Sequence, residues 1–239
     1  MNGYWDGPLP EPEARTIDEM RSVLADPSCT ADQPLYFMYR DLAKSGDDRR
    51  WLQEMRVRYD ITVISPGTLC GEYVKTKGHH HPKNRAGVGY PEIYEVLEGE
   101  GHYLLQTWDA DDVILIRASA GEKVLIPPGY GHVTINPSPR PLVMSNLVSS
   151  EFASSYGPYE ERRGAAYYEM EGGAFVRNPA YPKAAAIRSA PPTEIPDLSI
   201  LRIVPLYELV GRPRSVAFLN SPEQFPEIFS AIAPRQQSP

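Results

Sequence analysis

Cysteine is nearly absent from this chain: Cys29 and Cys70 are its two in 239 residues. Two is too few for a disulfide framework. Free cysteine is ordinarily buried, so both are expected reduced and half-buried. Basic residues are also short, at 24 Lys and Arg against 31 Asp and Glu, a net charge of −7. With no basic stripe, neither nucleic acid nor an anionic membrane is expected as a partner. No run approaches the roughly 18 apolar residues of a membrane span. The start "MNGYWDGPLPEPEAR" lacks a positive region followed by an apolar run. It is not read as a signal peptide, and a cytoplasmic location is expected. Histidine is rare, and all five lie between His79 and His132.

What is present is ordinary for a globular protein, at 41 % hydrophobic and 23 % charged residues. The length suits one full core with an appendage. An acidic chain can still bind an anion, through a metal, backbone N–H groups or a few cations.

Proline, at 25 residues, clusters at both ends. Residues 1–33 read as an arm, extended over Gly7–Arg15, and a short helix opened by a Thr16/Glu19 capping box. "PLYFMYRDL" is strand-like. From Tyr59 onward, short runs rich in Val, Ile, Thr and Tyr alternate with Gly, Pro, Asp and Asn. That spacing, without helical patterns between, predicts an all-β sandwich or barrel with a few short helices. Gly99 and Gly101 are expected to punctuate a hairpin. Asp109–Asp112 and "PPGYGH" mark further turns, and Gly172–Gly173 the last hairpin. Residues 183–239 read as a Pro-rich extension, with "SAPPTEIPD" as linker and a helix start at Ser221–Pro222. The extension is too small for its own core. It packs on the barrel or on a neighbouring subunit.

Side chains alternate faces along a strand, so His79 and His81 share one face and His80 takes the other. Such an i, i+2 pair is half of a metal site. Glu92 and His132, in later strands, are candidates for the rest. His102, after Gly101 at a turn, reads as structural or exposed.

The spacings can be compared with a known pattern. His79-x-His81, ten residues, Glu92, six residues, Gly99 is similar to the first half of the cupin signature, with a longer gap before the glutamate. Gly121, five residues, Pro127-x-Gly129, two residues, His132, three residues, Asn136 matches the second half. The chain thus resembles a cupin, a jelly-roll β-barrel, here over residues 34–182. The resemblance implies His79, His81, Glu92 and His132 as metal ligands. Such a set suits one divalent transition metal, Fe²⁺ foremost, or Mn²⁺, Zn²⁺ or Ni²⁺.

"TKGHHH", "EIYEVLEGEG", "PPGYGHVTIN" and the Tyr156–Gly157 pair further resemble the cupin-type glucose-6-phosphate isomerases, over about Tyr36 to Tyr181. That family implies a phosphate site at Tyr36, Thr62, Thr76, Gly78 and Tyr156. Lys77, Lys83 and Arg85 could add positive potential at its mouth. It also implies a phosphosugar substrate and a homodimer. Glu92 is the candidate proton carrier, with Tyr94 orienting it or the substrate. A metal-promoted hydride shift between C1 and C2 is the other route. Lining one cavity with Thr76, Gly78, His79 and His81 violates strand alternation, so a kink is expected near Gly78.

Three departures stand out. About four extra residues, around "RAGVGYP", lie between His81 and Glu92. Val148 stands where the family commonly has a tyrosine, and Ser154 where it has a histidine. Val148 and Ser154 keep a related cupin enzyme, such as a mannose 6-phosphate isomerase or an epimerase, as an alternative; a non-catalytic sugar-binding cupin is the third reading.

Overall fold

The computed structural model describes residues 3–233. Its strands, in chain order, are β1 (Glu13–Arg15), β2 (Tyr36–Tyr39), β3 (Val57–Ile64), β4 (Thr68–Leu69), β5 (Glu72–Tyr73), β6 (Glu92–Glu98), β7 (Glu100–Thr107), β8 (Val113–Ser119), β9 (Lys123–Ile126), β10 (Tyr130–Ile135), β11 (Leu142–Ser149), β12 (Tyr167–Met170), β13 (Ala174–Arg177) and β14 (Ile187–Ala190). The β-branched and aromatic runs are the strands, as their fit to a pleated surface predicts.

One sheet has the order β1-β2-β3-β11-β6-β9, and a second the order β10-β7-β8-β14. A third, small sheet, β13-β12-β5-β4, flanks them. The inner face of the large sheet forms one wall of a cavity. Cross-strand pairing sets its rows: Arg58, Val148 and Glu92 align in one, and Asp60, Asn146 and Tyr94 in the next. The outer face is covered as well. Trp5 stacks on Tyr59 at 5.7 Å between ring centroids, and Tyr207 meets both edge-on. Glu95 and Lys123, both buried, pair at 2.9 Å. Glu95 also accepts the Leu206 N–H at 2.6 Å. The C-terminal extension therefore lies on its own barrel.

Several expectations are corrected. Gly99 does not turn a hairpin: β6 belongs to the large sheet and β7 to the second, so Gly99 is a corner between sheets. Ser189 and Ala190, read as linker, belong to β14, which pairs parallel with β8. The helix expected from Ser221 is a single 3₁₀ turn, Pro222–Gln224, followed by Pro226–Phe229. Pro226 supplies no N–H to continue a helix, and Ser221 makes no cap bond. A helix absent from the sequence reading, α2 (Gly46–Glu54), follows α1 (Ile17–Met20) and is capped by Ser45, whose side chain accepts from Asp48 N.

Cys29 and Cys70 are not free: they form a disulfide across 41 residues, with Cα atoms 6.0 Å apart. The turn after Asp26 and the β4–β5 hairpin meet only in the folded chain, so count and spacing did not reveal the pair. Closing a loop of this length typically contributes about 2–4 kcal/mol. Among the described residues no helix is long and apolar enough to cross a membrane.

Candidate metal and substrate site

The segment after β5 runs across the end of the cavity as isolated bridges, with Lys75 opposite Ile135 and His79 opposite His132. Its kink falls at Gly78, with φ +82°. A Cβ there would lie 2.5 Å from Val133 Cγ1 and 2.7 Å from the Tyr159 ring. Both the left-handed backbone and the close packing therefore require glycine. The kink brings Thr76 and Gly78 into the cavity that His79 and His81 also line.

His79, His81, Glu92 and His132 converge, with one ligand atom from each all within 4.8 Å of one another. Glu92 Oε2 lies 3.4 Å from both His81 Nε2 and His132 Nε2, and 4.0 Å from His79 Nε2. His79 Nε2 and His81 Nε2 approach to 3.1 Å. The four come from different parts of the barrel. Glu92 opens β6 of the large sheet, His132 sits in β10 of the second sheet, and the other two cross between.

The donors are prepared for a cation. Burial pushes His79 far below its ordinary pKa and His132 down to about 3, so both are neutral near pH 7. Burial alone would raise the Glu92 carboxyl. The approach of His81 Nε2 and the Arg58 cation hold it below its ordinary value. Glu92 Oε2 is buried without a hydrogen-bond partner. An orphaned, buried carboxylate oxygen facing three imidazole nitrogens fits a divalent metal. Outer contacts orient the set: His81 Nδ1 lies 2.9 Å from the Tyr90 carbonyl, and Glu92 Oε1 accepts from Asn146 Nδ2 at 2.7 Å.

His80 turns away. It packs on Trp108 and Tyr159, with centroids at 4.9 and 5.3 Å, and lies against Gly131. His80→Ala is expected to retain full metal content while losing about 1–3 kcal/mol of stability to the cavity left behind. Metal analysis and thermal melting of the same preparation check this. His102 is buried, not exposed, and its Nδ1 lies 2.8 Å from Glu169.

The cavity beside the cluster is lined by Tyr36, Thr62, Thr76, Gly78 and Tyr156, by Tyr94, and by Val148 and Ser154. Tyr94 OH lies 3.0 Å from His132 Nε2. Lys77 lines the cavity and pairs with Glu160 at 2.5 Å, whereas Lys83 and Arg85 are exposed and outside it. The longer segment before Glu92 does more than widen a mouth. Its Tyr90 stacks on Phe152, Phe152 packs on His81, and the Tyr90 carbonyl orients that histidine. Sequence reasoning missed Tyr90, Phe152 and Asn146. It also missed Arg40 and Arg58, which line the cavity too. The inward alternation of β3 and β11 was the available signal for Arg58 and Asn146.

A double-sheet barrel with three histidines and a glutamate gathered in its cavity is a cupin. Within that class, the chain belongs to the glucose-6-phosphate isomerase family: residues 14–185 match the family model described as "Glucose-6-phosphate isomerase (GPI)". The glucose-6-phosphate isomerase of Thermococcus gammatolerans is 33 % identical over 175 residues, covering 70 % of this chain and 86 % of that one. Those of Thermococcus litoralis and Pyrococcus furiosus are 32 % and 31 % identical over 110 residues, or 46 % of this chain. The matched part spans about half the length of these two relatives, 55 % and 56 %. Among solved structures, a CapF with inhibitor is similar at 20 % identity and TM-score 0.36, covering 50 % of this chain and 29 % of that one. Lactobacillus farciminis oxalate decarboxylase is similar at 18 % and 0.38, covering 50 % and 30 %. Likenesses this weak decide nothing about function.

Proposed function

We propose that the protein is a metal-dependent aldose–ketose isomerase interconverting glucose 6-phosphate and fructose 6-phosphate. One observation carries this reading: a single cavity joins the His79, His81, Glu92 and His132 cluster to the hydroxyls and backbone at Tyr36, Thr62, Thr76, Gly78 and Tyr156. The first end suits the reacting carbons, and the second a phosphate. Membership of the glucose-6-phosphate isomerase family supports the same choice.

His79, His81, Glu92 and His132 would hold the metal, which when bound supplies a Lewis acid for the sugar carbonyl. Moving a proton between C1 and C2 also needs a base. Glu92 is ionised and sits at the reacting end, so its carboxylate can carry that proton. Asn146 fixes Oε1 and leaves Oε2 for chemistry. Tyr94 presents its hydroxyl beside His132, where it orients the substrate. Fe²⁺, Mn²⁺, Zn²⁺ or Ni²⁺ satisfies the donor set, and a homodimer is the assembly proposed.

Val148 and Ser154 line the cavity. They favour a second reading, a related isomerase or epimerase acting on another sugar phosphate such as mannose 6-phosphate. A coupled assay on metal-reconstituted protein separates the two. Turnover of fructose 6-phosphate to glucose 6-phosphate is the expected result. No conversion with any of the four metals would sink the first reading.

A further inference from the structure

Two guanidinium groups lie in the cavity wall, on one carboxylate. Asp60 is fully buried, and its Oδ2 accepts from Arg40 Nη1 at 2.9 Å and from Arg58 Nε at 3.0 Å. Its Oδ1 accepts the Asp41 backbone N–H at 2.9 Å, which fixes the carboxylate. Two cations on one anion leave a net positive charge. Both arginines keep about a third of their side-chain surface, 31 % and 32 %, and both line the cavity. Arg58 hydrogen-bonds Asp60 through Nε alone. Its two Nη groups make no hydrogen bond with the described residues.

The pairing register says which end of the cavity they serve. Arg58 shares a cross-strand row with Val148 and Glu92, and Asp60 shares one with Asn146 and Tyr94. Strands in a sheet are spaced by about 4.8 Å, so Arg58 and Glu92 start about 10 Å apart on one wall. Val148, which lies between them, cannot hydrogen-bond a sugar oxygen. Arg58 is thus the cation of the row that ends on Glu92, and it lines the cavity. The phosphate end is built from hydroxyls and backbone amides, with Lys77 beside Tyr156. A pair of free Nη groups in a planar fork matches two coplanar oxygens, the arrangement in a carboxylate and in the O1–C1–C2–O2 unit of an enediolate.

We propose that Arg58, supported by Asp60 and Arg40, binds the C1–C2 oxygens of the sugar and selects the form in which they carry negative charge. The proposal rests on the phosphosugar reading of the cavity. It makes Arg58 a substrate-touching residue, with Asp60 and Arg40 as positioning residues.

The test compares two ligands alike in their phosphate and chain. One is 6-phosphogluconate, with a carboxylate at C1. The other is glucitol 6-phosphate, with a hydroxyl there. Calorimetry on the full chain, with and without added divalent metal, gives the affinity ratio of the two. The metal-free arm matters most, because a carboxylate preference there comes from side chains. Wild-type protein is expected to prefer the carboxylate by at least about tenfold in that arm, and Arg58→Gln to bring the ratio close to one. Affinity for glucitol 6-phosphate should fall much less in the variant than affinity for 6-phosphogluconate, because the C1–C2 oxygens of glucitol 6-phosphate carry no charge. If Arg58→Gln fails to fold, Arg58→Lys keeps a charge for Asp60, removes the fork and is read in the same way. Equal binding of the two ligands by wild type, or an unchanged ratio in the variant, overturns the proposal and leaves the function reading standing. Binding of neither ligand overturns the function reading and this proposal with it.

Discussion

The His132→Ala protein is expected to bind divalent metal at least about a hundredfold more weakly and to lose isomerase turnover in proportion to the lost metal. Replacing an outer contact of a metal ligand already costs about 10- to 100-fold in affinity, and His132 is itself in the cluster. It is the one member supplied by the second sheet, so its loss leaves the donors to one side. The folded state should tolerate the change. His132 Nδ1 is buried without a hydrogen-bond partner, so truncation removes an unsatisfied polar atom along with the ring. Packing loss and relief of that atom therefore act in opposite directions. The decisive measurement is melting with and without metal. A ligand at a hundred times its dissociation constant stabilises the folded state by about 2.7 kcal/mol. Wild-type protein should show such a gain, and the variant should not. A variant that melts like metal-free wild type and ignores added metal identifies His132 as a ligand. A variant that keeps the metal-dependent gain removes it from the site.

How much of this was legible depends on whether the signal was local. Alternation along a strand was enough to separate His80 from its neighbours. It also raised the conflict that the Gly78 kink resolves, because four residues of both parities had to line one cavity. Pairing was not legible. Nothing near Gly99 distinguishes a hairpin from a corner between sheets, since both need a tight turn with a glycine. Helix α2 was missed because "GDDRRWLQE" has Leu52 as its one buried residue, too little to make an apolar stripe. The disulfide and the Arg40–Asp60–Arg58 group join residues from separate segments. Alternation along "RVRYDITVI" could have marked Arg58, but its partners Asp60 and Arg40 become visible only through the fold.

Glu92→Gln separates the two tasks proposed for this carboxylate. Glu92 Oε1 takes the Asn146 amide hydrogen at 2.7 Å. In the variant that contact holds the glutamine oxygen in place, because an amide NH₂ there would face another NH₂. The new NH₂ then occupies the Oε2 position, 3.4 Å from two imidazole nitrogens. It can neither accept a proton from carbon nor donate electrons to a metal. Turnover is expected to fall by about 10²–10⁴, the usual contribution of a positioned general base. Inorganic phosphate should bind as before, because Tyr36, Thr62 and Thr76 are untouched. Measuring turnover at saturating metal keeps weaker metal binding from passing as lost chemistry. A variant that fills with metal, binds phosphate and still turns over as fast as its parent would assign the hydrogen to a direct shift between C1 and C2. Glu92 would then be a ligand only, and the reacting end would depend on the cations around it.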